Sequence, residues 1–196
     1  RYQQRAGVYT AGEGGRGIAQ SEKIFPRFLK PAGYVSGAFG KWHLGLTTEQ
    51  GPIGRGVDES YGFLGRGGHD YFKLEDTVES PLYRGRQPIA DRGYLTTRLT
   101  EEAVAFLRQH KAQPFYVHLA YNAVHAPAQA PAEDIARYRK LFPDLPESRV
   151  VLMAMLHHLD VGVGRVVATL KQEGLWENTL LFFLTDNGGS KAMKAN

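Results

Sequence analysis

The feature that most limits how this chain can fold is the alternation of short apolar runs with longer segments of helical periodicity. Three runs predict strands, over residues 34–39, 114–120 and 179–185. The last run, TLLFFLT, is continuously apolar, which is typical of a strand covered on both faces. Strands that alternate with helices predict an α/β fold with a mostly parallel, mixed sheet flanked by helices.

Four segments carry apolar residues at spacings of three and four and therefore predict helices: 21–32, 94–110, 132–141 and 148–173. In the first of them, Ser21 is the expected N-cap, and Gly33 marks the end. Gly174 stops the long last helix. Residues 1–20 predict a loop, and residues 46–90, rich in Gly and Pro, predict an irregular surface excursion.

Composition excludes several classes of protein. With 196 residues and 42% hydrophobic content, the chain can bury one core and is expected to form a single domain. The net charge of +4 comes without a cluster of basic residues, so no nucleic-acid partner is expected. The chain has no cysteine, which excludes disulfides, thiolate metal sites and a cysteine nucleophile within it. No stretch is expected to span a membrane.

Polar residues follow each predicted strand, where α/β folds place their sites. Lys41 and His43 come after the first strand and are flanked by glycines. In an extended segment their side chains would leave the same side and form a receptor for an oxyanion. The alternative is an exposed lysine beside a histidine that is satisfied locally.

Asp186 and Asn187 follow the last predicted strand. A carboxylate and an amide oxygen are ligands that calcium prefers, although calcium takes six to eight and the others must come from elsewhere. The alternative is a turn, since Asp-Asn-Gly-Gly is also a good turn sequence.

His125 lies in a loop restricted by Pro127 and Pro131. An imidazole there could donate a proton to a leaving group, or it could simply bond to the backbone. The other histidines are expected to have packing or surface roles: His69, His110, His118, His157 and His158.

Four segments, in this order, resemble segments of the sulfatase family: GYVSGAFGKWHLG (33–45), GVDESYGFLG (56–65), YNAVHAPAQAP (121–131) and NTLLFFLTDNGG (178–189). The resemblance extends over nearly the whole chain, from about Arg1 to Gly189. It is most specific at GKWHLG, whereas DNGG alone would be weak.

The resemblance implies an alkaline-phosphatase-like fold, bound calcium and hydrolysis of sulfate esters through a formylglycine made from Cys or Ser. By the same resemblance, Lys41 would bind the sulfate, and His43 would contact the sulfate or the formylglycine. His125 would assist departure of the alcohol. Asp186 and Asn187 would ligate calcium.

The sequence departs from the family pattern in one important respect. It contains neither a cysteine nor a Ser-x-Pro-x-Arg motif, so the nucleophile is expected upstream of Arg1. We therefore expect residues 1–196 to be an interior part of a sulfatase catalytic domain and to be inactive alone. The remaining calcium ligands, and a later sulfate-binding lysine, are expected outside the chain. The family also favours export from the cytoplasm.

Three hypotheses follow. The leading hypothesis is that the parent protein hydrolyses the sulfate ester of a small molecule or saccharide. A second keeps the fold and changes the substrate to a phosphate or phosphonate ester. A third treats the chain as a truncated, non-catalytic product. The sulfatase hypothesis requires Lys41, His43, His125 and the Asp186–Asn187 pair to meet at one pocket.

Overall fold

The computed structural model describes residues 17–65, 68–76 and 81–186. Its strands are β1 (Val35–Lys41), β2 (Glu59–Phe63), β3 (Leu82–Arg84), β4 (Gln87–Ile89) and β5 (Phe115–Ala120). Its α-helices are α1 (Phe25–Leu29), α2 (Leu95–Gln109), α3 (Ala132–Leu141) and α4 (Glu147–Gln172). Single 3₁₀ turns occur at Lys30–Ala32, Ile53–Arg55 and Trp176–Asn178. The predicted loop over residues 1–20 lies almost entirely outside the described residues.

The five strands form one mixed sheet in the order β4-β3-β2-β1-β5. β1 pairs in parallel with β2 on one side and with β5 on the other. β2, β3 and β4 pair antiparallel, with Gly85 in the left-handed conformation at the tight turn between β3 and β4. The α/β prediction and the mixed sheet are confirmed.

The helices cover the sheet largely as the periodicity predicts. On α2, Leu95, Leu99 and Phe106 are buried, and the Phe106 ring meets Phe39 of β1 edge-on at 5.6 Å. α4 packs on α2 and α3, and Gly174, two residues beyond its end, has a φ of 70°. These boundaries agree with the predictions to within two residues.

The first helix is shorter than predicted. It begins after Ile24, and Ser21 does not cap it, because the chain before Phe25 is not helical. Pro26 lies in the first turn, and Gly33 ends the following 3₁₀ turn in the left-handed conformation.

The prediction of an irregular excursion over residues 46–90 is wrong in part, because β2, β3 and β4 lie within it. β2 has the sequence ESYGF, which lacks the apolar pattern of a buried strand. Packing between the strands requires glycine at position 62, because a Cβ there would lie 2.0 Å from the carbonyl oxygen of Gly40 in β1.

The strand predicted over residues 179–185 is also wrong. Residues 179–185 have no strand pairing, and Leu180, Phe182, Phe183 and Leu184 are each more than 70% exposed. A strand needs a hydrogen-bonded neighbour, and β1 already has one on each side. In the described part of the chain, nothing pairs with the outer edge of β5.

By length and composition, α4 is apolar enough to cross a membrane, which the sequence analysis did not anticipate. Its Val150, Ala154 and Met155 are fully buried, and it packs against two other helices. One helix of this length and composition is weak evidence for a membrane span.

Candidate active site

The candidate site lies at one edge of the sheet, where the carboxyl ends of three strands meet. β1, β2 and β5 are parallel, so the segments that follow them emerge at the same edge. Lys41 ends β1 and His43 follows it, Gly68 follows β2, and His125 follows β5. The order of the strands therefore brings together residues that are far apart in sequence.

The peptide after β1 is held by Trp42. The Trp42 backbone N–H donates to the carbonyl of Phe63 at 3.0 Å, and its indole N–H donates to the carbonyl of Gln50 at 2.8 Å. Lys41 and His43 flank this buried residue and are themselves half-buried. His43 has a φ of 57°, so the segment turns there instead of remaining extended as the sequence analysis assumed.

The electrostatics of His43 involve three of the other predicted residues. The pKa of His43 lies below its ordinary value of 6.5 because of burial, and then because of the positive charges of Lys41 and His125. The Asp186 carboxylate acts in the opposite direction. The fifth predicted residue, Asn187, lies outside the described residues.

The Nε2 atom of His43 is buried without a hydrogen-bond partner among the described residues. Such an atom is costly to bury unless something satisfies it. An unpaired buried nitrogen is what a group that contacts a ligand would show before the ligand binds.

His125 lies in a tight turn that begins at the end of β5. Its N–H donates to the carbonyl of Asn122 at 2.7 Å, and its Nδ1 lies 2.8 Å from the carbonyl oxygen of Ala126. A carbonyl only accepts, so this contact assigns the proton to Nδ1 and leaves Nε2 to exchange a proton. The ring itself is exposed.

Residues that the sequence analysis did not single out hold this turn. Tyr71 is fully buried, and its hydroxyl donates to the carbonyl of His125 at 3.0 Å. Asn122 is buried too, and its Oδ1 has no partner among the described residues. Their only indication in the sequence is position, since both lie shortly after strands that end at this edge.

The remaining histidines lie in other environments. His69 is buried, its ring packs 5.2 Å from that of Phe63, and its Nδ1 contacts the carbonyl of Asp70. His110 bonds to Glu59, and His158 bonds to Asp134. These contacts agree with the packing roles that the sequence suggested.

The described residues do not form a calcium site by themselves. They contain no group of three or more His, Asp or Glu side chains placed to hold a metal ion. Asp186 is exposed and offers one carboxylate. A calcium ion takes six to eight oxygens, so the described residues do not fit the ion without others.

Comparison with known proteins identifies the family. The family model described as Sulfatase matches residues 1–194. This chain belongs to the sulfatase family. An uncharacterized sulfatase of Escherichia coli (strain K12), YdeN, is 32% identical over 210 residues, covering 94% of this chain and 36% of that protein. The N-acetylgalactosamine-6-sulfatase of Mus musculus is 30% identical over 201 residues, covering 93% of this chain and 36% of that protein.

Solved structures agree with the sulfatase assignment. The crystal structure of Ps i-CgsB in complex with k-i-k-neocarrahexaose is 34% identical and has a TM-score of 0.88; the match covers 100% of this chain and 47% of that chain. PsFucS1 sulfatase from Pseudoalteromonas sp. shares the fold at 21% identity and a TM-score of 0.62, with 91% of this chain and 41% of that chain covered. The sulfatase fold is alkaline-phosphatase-like, as the resemblance implied. The chain spans about a third of the length of the first two relatives.

Proposed function

We propose that this chain forms the sulfate-binding and leaving-group side of an active site that hydrolyses sulfate esters. The observation that carries this proposal is that Lys41, at the end of β1, and His125, after β5, lie at the same edge of the sheet, where both of them and Asp186 act on the pKa of His43. Family membership supports the reaction class. The parallel arrangement of β1 and β5 supports a common site, because it brings their carboxyl ends together.

Lys41 binds the sulfate group of the substrate in this proposal. Its side chain is half-buried, so its positive charge is less screened by water and favours a bound anion. The lowered pKa of His43 keeps that imidazole neutral near pH 7, and neutral imidazole can donate one hydrogen bond to a sulfate oxygen. Lys41 then supplies the charge, and His43 supplies orientation.

His125 assists departure of the alcohol. When the bond between sulfur and the ester oxygen breaks, its electron pair remains on the leaving oxygen. A proton from Nε2 of His125 neutralises that oxygen, and the imidazole becomes neutral. The Nδ1–Ala126 contact holds the ring in the tautomer that this transfer requires.

Formylglycine and calcium belong to the proposal only through the family. Residues 1–196 contain no cysteine and no Ser-x-Pro-x-Arg motif to supply the nucleophile. Asp186 and Asn187 would contribute two of the calcium ligands, and the others would lie outside the described residues. Calcium, when bound, would polarise the sulfate. The 196-residue chain alone is therefore expected to be inactive.

The proposed substrate is a sulfated saccharide. Ps i-CgsB, at 34% identity, was crystallised with k-i-k-neocarrahexaose, and one curated relative is an N-acetylgalactosamine-6-sulfatase. Export from the cytoplasm remains a prediction from the family.

The test is turnover of an aryl sulfate by the full-length protein that contains this chain. Lys41→Ala and His125→Ala should each lower kcat/KM by about 100-fold or more, since general acid catalysis and charge stabilisation each contribute that much. Lys30→Ala is the matched control. It removes an exposed lysine that pairs with Asp58, and it should leave activity unchanged. Wild-type activity in both site variants would refute the assigned roles.

Substrate class is tested with matched aryl sulfate and aryl phosphate esters. The proposal expects a clear preference for the sulfate. A preference for the phosphate would favour the phosphate or phosphonate hypothesis, and no turnover of either ester would favour a non-catalytic product.

A further inference from the structure

The turn that carries His125 is held from one side by residues 68–76, which we name the strap. We propose that Tyr71 of the strap is a positioning residue for His125: its hydroxyl fixes the His125 carbonyl and thereby the place where the imidazole meets the leaving oxygen. This inference rests on the role proposed above for His125. It adds a residue to which neither the sequence patterns nor the family resemblance assigned a role.

The hydrogen bond between Tyr71 and His125 is well protected. Tyr71 is 0% exposed, and its hydroxyl donates to the His125 carbonyl at 3.0 Å. Its ring stacks on Tyr94, with 5.5 Å between centroids and 23° between planes. Burial, and then the neighbouring Tyr94, raise the pKa of Tyr71 far above its ordinary value, so the phenol remains a donor at every working pH.

A second set of bonds joins the strap to the far end of the same loop. The Tyr71 N–H donates to Oε1 of Gln129 at 2.9 Å, and Nε2 of Gln129 donates to the Asp70 carboxylate at 3.0 Å. The Tyr94 hydroxyl donates to the Gln129 carbonyl at 3.0 Å. The loop is therefore fixed at His125 and again at Gln129, and Tyr71 takes part in both connections.

Close packing limits movement of the ring from the strap side. A Cβ on Gly68 would lie 2.3 Å from the Ala126 carbonyl oxygen and 2.8 Å from Nδ1 of His125. The strap backbone thus lies directly against the imidazole and its carbonyl partner. Only glycine permits this approach.

Proton transfer depends on this placement more than binding does. A misplacement of about 1 Å can cost about 100-fold in rate. A phenolate that leaves readily needs little protonation, whereas a poor leaving group depends on the acid. Loosening His125 should therefore slow esters of poor leaving groups most, and a general loss of folded enzyme should slow all esters equally.

The experiment uses Tyr71→Phe in the full-length protein, with kcat measured on para-nitrophenyl sulfate and on phenyl sulfate. We expect kcat to fall about tenfold or more on phenyl sulfate and less than about threefold on para-nitrophenyl sulfate. The control is Tyr61→Phe, because Tyr61 is equally buried and its hydroxyl donates to Asp91 at 2.7 Å instead of to the His125 turn. Tyr61→Phe should change both rates by the same factor.

Gln129→Met provides a second variant that does not alter Tyr71 itself. It removes both bonds to the strap and should give the same dependence on the leaving group. Equal losses on the two esters, or no loss, in both Tyr71→Phe and Gln129→Met would overturn the positioning role. His125→Ala separates the two proposals. If His125→Ala has no effect on either ester, the proposed role of His125 fails. If His125→Ala selectively slows phenyl sulfate and neither Tyr71→Phe nor Gln129→Met does so, only the inference about Tyr71 fails.

Discussion

The hydroxyl of Tyr121 donates a hydrogen bond to Oγ1 of Thr100 across 2.6 Å. The direction follows from a second bond, because the single Thr100 hydroxyl proton already goes to the carbonyl of Thr96 at 2.8 Å. Thr100 lies in the middle of α2, and Tyr121 is the first residue after β5. This bond therefore fixes α2 to the start of the loop that carries His125.

Gly162 of α4 lies against this pair, which leads to a first prediction. A Cβ on Gly162 would lie 2.6 Å from Thr100 Oγ1 and 2.8 Å from the Tyr121 hydroxyl. Gly162→Ala should lower the free energy of unfolding by about 1–3 kcal/mol, since overpacking outweighs the better helix propensity of alanine. Urea unfolding followed by circular dichroism measures the change.

Gly164, two residues further along the same helix, is the matched control. Nothing lies within 4 Å of a Cβ placed there. Gly164→Ala should raise the free energy of unfolding by up to about 1 kcal/mol. Opposite signs for the two variants are expected, and a stabilising Gly162→Ala would contradict the packing described here.

A second prediction concerns the pKa of His43. Removing the positive charge in Lys41→Met should raise the pKa of His43 toward its ordinary value, because Lys41 is the largest charged contribution to its depression. The imidazole resonances of His43, followed by NMR from pH 4 to pH 8, about its ordinary value of 6.5, give the shift directly. Lys30→Met removes an equal charge from an exposed pair with Asp58 and should leave the titration of His43 unchanged.

The same shift has a consequence for stability. The folded state holds His43 neutral at pH values where the unfolded chain protonates it. This contribution favours folding above the ordinary pKa of 6.5 and is lost as pH falls below it. Lys41→Met should therefore lose less stability on acidification from pH 7 to pH 5 than the unaltered chain does. An equal loss in both would count against the coupling.

A third prediction concerns the exposed residues 180–184. Phe182→Lys combined with Leu184→Lys should change the free energy of unfolding of the 196-residue chain by less than about 0.5 kcal/mol, because both side chains are exposed. The double variant should also associate less in light scattering, since an exposed apolar patch promotes self-association. Phe106→Ala, at a buried position, should cost about 3–5 kcal/mol. A loss of several kcal/mol in the lysine variant would show that these side chains are packed.

A fourth prediction concerns Arg55, which is 2% exposed. Its guanidinium donates to the carbonyls of Ala19 and Glu22 and to the side chain of Gln20. Arg55→Met should lower the free energy of unfolding by about 1–3 kcal/mol, because these acceptors lose a charged donor. Thermal unfolding measures the change, with the exposed Arg92→Met as the neutral control. Equal melting temperatures in the two variants would contradict the structural role of Arg55.

The sequence predicted the parts of the fold that carry their own periodicity. The structure confirms the helices predicted at 94–110, 132–141 and 148–173. They could be predicted because their apolar residues recur at helical spacing. β2, β3 and β4 were missed because they are short and lack such a pattern. Contacts with neighbouring strands constrain which residues fit there, as the close approach of Gly62 to Gly40 shows. The prediction of a strand at 179–185 failed for the converse reason: the composition of this run suits a sheet, but the run pairs with none of the described strands.

The residues of the candidate site also fall into those that the sequence could predict and those that it could not. Lys41, His43, His125 and Asp186 could be singled out because each follows a run that looked like a strand. Tyr71 could not, because β2 was not predicted and the residues after it were therefore not read as part of the same edge. Its function depends on one hydroxyl reaching one carbonyl 54 residues away, and no local pattern encodes that contact.

The central place of β1 in the sheet also has a kinetic consequence. Residues of β1 pair with residues of β2 that lie 22 positions later in the chain, and with residues of β5 that lie about 80 positions later. Both pairings must form before Lys41 and His43 meet His125. Distant pairings form more slowly than local ones because a longer loop must close. During refolding, the circular dichroism signal of the helices should therefore return first. The lowered pKa of His43 should return only later, when β5 pairs with β1.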